Sequence, residues 1–180
     1  LQHSLEALRL SKGLEKLAFN DDLTEVYNAR FVKTALKREL KRAGRFGQEL
    51  SLLIVEPADF AAWTQRAGAT TREAWIKELA AELVKQVRSF DFVARFGAGQ
   101  FMVVLPQTGR AGAEEVAERI RTAIAGRTFF ETRPGSITVG VGVSAFPQEG
   151  NEPTVLVAKA QRALTTKSPR LRSTGFGRAA

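Results

Sequence analysis

The sequence predicts an α/β fold: a mixed central β-sheet flanked by helices and preceded by an amino-terminal connector helix. Three observations predict it. Helical and strand periodicities alternate along the chain. Residues 50–55 form an unbroken apolar run of strand length, as expected of a strand covered on both faces. Two further apolar runs, 92–96 and 100–105, meet at a glycine-bearing turn and read as a hairpin.

Taken in order, residues 1–19 carry Leu1, Leu5, Leu8, Leu14 and Leu17 with no proline, a helical pattern. The spacing of the first three leucines, four then three, is that of a two-stranded coiled-coil seam. The segment suits a dimer-forming connector as well as a helix packed on its own domain. The chain opens on Leu1 rather than Met inside that pattern, as expected of a piece of a longer protein. Asn20, Asp21 and Asp22 break the helix and offer side-chain caps.

Residues 28–45 are helical, with Phe31, Val32, Ala35, Leu36, Leu40 and Ala43 on one face. Lys33, Lys37, Arg38, Lys41, Arg42 and Arg45 form the other, a basic face that is ordinarily solvated. Strand 50–55 closes at Glu56 and Pro57, since proline cannot donate to a ladder. A short helix at 59–66 and a break at Gly68 follow. Residues 70–88 are amphipathic, with Trp75, Ile76, Leu79, Leu83, Val84 and Val87 inward.

After the hairpin, residues 110–125 form another amphipathic helix, and Pro134-Gly135 marks a turn. Between 137 and 145, Ile137, Val139, Val141, Val143 and Ala145 alternate with Thr138, Gly140, Gly142 and Ser144. That is the pattern of a half-buried strand. A last helix spans 153–166, and the basic tail from Lys167 is expected to be poorly ordered. The order of elements suits a split relative of the ferredoxin-like arrangement. Three regions result: a signalling helix (1–19), one domain (20–166) and a tail (167–180).

Composition narrows the chemistry. An apolar content of 44% supports a full core. With no cysteine, neither disulfides nor thiolate metal sites exist, and with His3 as the sole histidine, multi-histidine metal sites and histidine catalysis are excluded. No apolar run reaches the length of a membrane helix and the start lacks a signal-peptide pattern, so a cytoplasmic setting is expected. The net charge of +8 favours anionic partners. Its basic residues are spread over helices and tail with no base-stacking aromatic series, so nucleic acid is not the expected partner.

Several stretches together resemble the GGDEF domain, whose active members are diguanylate cyclases. They are Asp21-Asp22-Leu23-Thr24, Asn28 and Arg30, the strand ending at Glu56, and the turn Gly97-Ala98-Gly99-Gln100-Phe101. The segment Ala117-Glu118-Arg119-Ile120-Arg121 and the strand from Thr138 to Val143 complete the likeness, which covers roughly residues 18–166. The resemblance implies a nucleotidyl-cyclase-like fold and, in active members, condensation of two GTP molecules with divalent metal.

The signature residues depart from that family's pattern. Where it has Gly-Gly-Asp/Glu-Glu-Phe, this chain has Gly97, Ala98, Gly99, Gln100 and Phe101. Gly99 offers no side chain and Gln100 only a neutral amide, a poor ligand for a hard cation. The metal-binding aspartate falls on Glu56 and its second aspartate on Ala58. The guanine-binding Asn falls on Thr64, the Gly-Asp pair on Arg72-Glu73, a lysine on Ala61 and a Gly-His pair on Gly68-Ala69. Glu73 alone retains a guanine-accepting carboxylate, on what reads as a surface helix position. Cyclase activity, a bound metal and a cofactor of the domain's own are therefore not expected.

The segment Arg88-Ser89-Phe90-Asp91, five residues before the turn, resembles the family's inhibitory Arg-x-x-Asp site. Arginine presents a planar fork to phosphate or to the O6/N7 edge of guanine. Aspartate accepts from the guanine N1–H and N2–H₂ donors. The bland alternative for such a pair is a local salt bridge. The resemblance places Arg119 within reach of the same ligand and Arg42 where a neighbouring subunit contributes an arginine.

The expected function is that of an inactive GGDEF domain acting as a cyclic di-GMP receptor in bacterial, two-component-type signalling. The ligand is expected as an intercalated dimer, with a homodimer or interdomain contact through the amino-terminal helix and any membrane link through domains outside this chain. The alternatives are a scaffold that oligomerises without nucleotide and an enzyme with residual GTP binding.

Overall fold

The computed structural model describes residues 18–58, 60–129 and 137–167. Residues 1–17 of the helix expected over 1–19, the Pro134-Gly135 turn and all but Lys167 of the tail expected over 167–180 lie outside the described residues. Among the described residues nine elements follow one another: α1 (Ala29–Phe46), β1 (Leu50–Pro57), α2 (Phe60–Arg66), α3 (Ala69–Lys85), β2 (Phe92–Arg95), β3 (Phe101–Pro106), α4 (Arg110–Ala125), β4 (Val139–Phe146) and α5 (Pro153–Lys167).

The strands form one sheet in the order β2-β3-β1-β4, and every neighbouring pair is antiparallel. This corrects the expectation of a mixed sheet. The crossovers β1–α2–α3–β2 and β3–α4–β4 each skip one position, and the strand that fills the gap runs the opposite way. The one parallel feature among the described residues is an isolated bridge from Tyr27 to Ala94 on the outer edge of β2.

Two apolar cores sandwich the sheet. Leu53, Val55, Val93, Phe101, Val103 and Val141 face α3 and α4. Leu52, Ile54, Ala94, Met102 and Val104 face α1 and α5. The period of two along each strand sorts them. All eight residues of β4 are buried, so the expectation of a half-buried strand fails. Its small residues permit close covering rather than exposure: a Cβ on Gly142 would lie 1.9 Å from the Ala160 carbonyl oxygen of α5.

Two boundaries also move. Strand β1 runs through Pro57, which pairs with Val139. The β1–β3 pairing ends at Val55, so the missing proline N–H deprives no strand there. Helix α3 stops at Lys85, where the Gln86 amide caps back onto Leu83. Arg88 therefore sits in a turn rather than on the helix, and Val84, expected inside, lies on the outer face of α3 at 50% exposed. No helix among the described residues is long and apolar enough to cross a membrane.

Candidate functional site

The turn that precedes α1 frames the site. Asp21 accepts from the Thr24 amide at 2.9 Å and hydroxyl at 2.8 Å. The Asp21 amide donates to the Val26 carbonyl, and the Glu25 amide donates to the Asp21 carbonyl. Glu25 is held at φ +63°, a region that L-residues with a Cβ enter at a cost. Tyr27 then exchanges backbone bonds with Val93 and Arg95, covering the free edge of β2.

Arg95 joins this turn to the signature hairpin. Its Nη1 lies 3.4 Å from Asp21 Oδ1, and its Nη2 donates to the Ala98 carbonyl at 2.8 Å. Burial acts to raise the Asp21 pKa, but the Thr24 hydroxyl and amide and the Arg95 charge outweigh it. The carboxyl is held below its ordinary value. Sequence reading missed this latch, because nothing in the sequence marks a pair 74 residues apart.

The signature turn is closed by the Phe96 and Gly97 amides donating to the Gln100 carbonyl. Gly99 is buried, and a Cβ there would lie 2.3 Å from the Phe60 ring at the start of α2. Extending the β1–β3 register one pair beyond Val55–Phe101 sets Glu56 opposite Gln100. Beside this hairpin, Leu23, Phe60, Arg72, Glu73, Arg95 and Ala98 line an open cleft of about 550 Å³. Glu73 is exposed on α3. Asp59 and the Thr64 side chain lie outside the description.

Divalent metal fits this turn poorly. Where hard oxygen ligands are needed, Gly99 contributes a hydrogen covered by an aromatic ring, and Gln100 a neutral amide. Among the described residues no three Asp, Glu, His or Cys side chains converge.

The segment from Arg88 to Asp91 is a closed turn. The Asp91 amide donates to the Arg88 carbonyl at 3.1 Å, and the Arg88 amide donates to Asp91 Oδ2 at 2.8 Å. The second of these bonds occupies one carboxylate oxygen. The other, Asp91 Oδ1, is buried and has no partner. Burial pushes the Asp91 carboxyl above its ordinary pKa, against the Arg88 amide and the charges of Arg88 and Arg119. No salt bridge joins the Arg88 guanidinium to a carboxylate among the described residues, so the local ion pair is not what this sequence pattern builds.

Arg119 on α4 reaches across to α3, donating through Nε at 3.2 Å and Nη2 at 2.5 Å to the Gln86 carbonyl. Gln86 is in turn tied to the buried Glu82 by its amide at 2.8 Å. Glu82 also pairs with Arg127 and Lys85. The fold thus brings Arg88, Asp91 and Arg119 to one corner. Arg42, on α1, lines a cleft with Ser89, Phe90 and Asp91 of its own chain while pairing with Glu39 at 3.6 Å.

Comparison with known proteins agrees with this architecture. Residues 18–173 match the family model described as "Diguanylate cyclase, GGDEF domain". The chain is 31% identical over 183 aligned residues to the response regulator PleD of Caulobacter vibrioides, all of this chain against 38% of that protein. It is 37% identical over 136 residues to the diguanylate cyclase DgcP of Pseudomonas aeruginosa, 75% of this chain and 20% of that one. The chain therefore spans well under half the length of these curated relatives. The coiled coil and GGDEF domain of DgcB from Caulobacter crescentus, solved in complex with c-di-GMP, superposes with a TM-score of 0.78 at 23% identity, over 92% of this chain and 90% of that one. From matched family, sheet order and turn together, this chain belongs to the GGDEF domain family.

Proposed function

We propose that this domain has lost cyclase chemistry and serves as a receptor for cyclic di-GMP, bound at Arg88 and Asp91 with Arg119 and Arg42 assisting. One observation carries the reading: a half-used carboxylate stands beside a guanidinium that pairs with no carboxylate among the described residues. Leaving a buried acceptor without a donor costs about 1–3 kcal/mol. Asp91 Oδ1 is closed to solvent in this conformation, and once the surrounding side chains move aside a guanine base supplies the donors it lacks. The fork of Arg88 suits the O6/N7 edge or a phosphate. DgcB, a structural neighbour, was solved with the same dinucleotide.

Loss of catalysis is supported by the residues at the turn. Phosphoryl transfer is catalysed by positioned cations and the anionic groups that hold them. Here Gly99 and Gln100 supply none, and Phe60 covers the position from which one would project. In this reading, ligand binding biases the packing of the domain against a second copy or a neighbouring domain, and residues 1–19 carry the change to an attached module. The setting would be cytoplasmic.

Thermal denaturation tests the receptor. Cyclic di-GMP should raise Tm in a concentration-dependent way, and Arg88→Ala should abolish the shift. An equal shift in the variant overturns the assignment. The naming of relatives as diguanylate cyclases favours a second reading, a surviving cyclase. Incubation with GTP and Mg²⁺ or Mn²⁺ decides it: the receptor reading predicts no dinucleotide above the blank.

A further inference from the structure

The turn that holds Asp91 also fixes what stands beside it. Because its two ends are tied by the Asp91 amide and the Asp91 carboxylate, the side chains of Arg88 and Phe90 are directed from a closed frame. Phe90 is 52% exposed. A single exposed aromatic is ordinary on a protein surface. This one is placed differently: the Arg88 guanidinium carbon stands over its ring at 5.8 Å from the centroid. The ring also borders the cleft of about 390 Å³ shared with Asp91 and Arg42, whose wall continues through Tyr27 and Phe92.

The spacing is informative. The Arg88 guanidinium carbon, 5.8 Å from the Phe90 ring centroid, is within cation–π range of the ring. A flat base between them needs two stacking layers of about 3.5 Å each. A base therefore enters only if the two side chains part. Both side chains are solvent-exposed, so rotamer adjustment supplies that opening without disturbing the core. Arginine stacks on π faces as well as pairing with anions.

We propose that Phe90 is a base-stacking residue of the dinucleotide site, and that a purine of the ligand inserts between the Phe90 ring and the Arg88 guanidinium while Asp91 reads its edge. This inference rests on the reading of Arg88 and Asp91 as a cyclic di-GMP site. It adds a specificity element: stacking favours the large π face of a purine, and Asp91 then selects guanine among purines. Neither Arg88 nor Asp91 alone can impose a preference for ring size.

Calorimetric titration of cyclic di-GMP into wild type and three Phe90 variants tests it. Phe90→Ala and Phe90→Leu should weaken binding by about 5- to 100-fold, the range of a lost base–aromatic stack. Phe90→Trp should stay within about threefold of wild type. A purely structural or generally apolar role would let Leu substitute and would not be restored by Trp. Because Phe90 lies at the surface, unchanged Tm values confirm that the variants are folded. Binding by the Ala and Leu variants within about twofold of wild type overturns the stacking role alone. No binding by wild type overturns the Arg88–Asp91 reading itself.

Discussion

A Cβ at Gly99 would stand 2.3 Å from the ring of Phe60. In the proposed reading Gly99 stands where the GGDEF signature carries an acidic side chain, and the space such a side chain would enter is taken by Phe60 of α2. Gly99→Ala should destabilise the domain by about 1–3 kcal/mol through overpacking. Phe60→Ala in the same chain should recover part of that loss, giving a non-additive double-mutant cycle in urea unfolding. Restoring acids with Gly99→Asp and Gln100→Glu should yield no metal-dependent turnover, because Glu56 and Ala58 still stand where the resemblance places the family's metal-binding aspartates.

Under the receptor reading, Asp91 couples binding to pH. Its folded-state pKa is raised by burial, so ionisation costs stability above that pKa, and the cost disappears as pH falls below the ordinary carboxylate value. Asp91→Asn should therefore raise Tm at neutral pH while abolishing cyclic di-GMP binding. In the wild type, affinity should be flat around neutrality and fall on acidification, as the carboxylate that accepts from guanine takes up a proton. Titrations across acid pH check both signs, and affinity that strengthens on acidification contradicts them.

The Asp21–Arg95 latch has the opposite sign. The Asp21 pKa is lowered, so its contribution is present above the ordinary carboxylate value and lost as pH falls through the folded-state value. Asp21→Ala should cost about 1–3 kcal/mol, since it frees the Thr24 amide and leaves Arg95 half-buried without its carboxylate. The difference in Tm between variant and wild type should shrink at low pH.

Backbone strain at Glu25 favours a glycine there. At φ +63° a glycine avoids the Cβ penalty of about 1–2 kcal/mol. Against that stands the greater freedom of glycine in the unfolded chain, about 0.5–1 kcal/mol. These two backbone effects alone favour Glu25→Gly by about 0.5–1 kcal/mol, read as a higher urea midpoint at unchanged m once the contact of the Glu25 side chain is removed in a Glu25→Ala reference. A midpoint below that reference contradicts it.

Much of this architecture was legible from the residues. The unbroken run at 50–55 gave a central strand because β1 is covered on both faces and paired on both edges. The helix at 110–125 coincides with α4. Where the reading failed, neighbours decided. The alternation in β4 implied one wet face, yet glycine at 142 reflects the approach of α5 and not exposure. Strand direction depends on which strand fills the gap left by a crossover, which periodicity does not encode. At the site, Arg88 and Asp91 were visible as a motif. The orphan carboxylate oxygen, the Phe60–Gly99 contact and the Asp21–Arg95 latch arise from residues distant in sequence or from burial of a single atom.

The most direct measurement is calorimetric titration of cyclic di-GMP into the domain and its Arg88→Ala variant at neutral pH. Saturable binding by the wild type that disappears in the variant is the predicted result. Absence of binding by the wild type, or equal binding by both, contradicts a receptor site at Arg88 and Asp91.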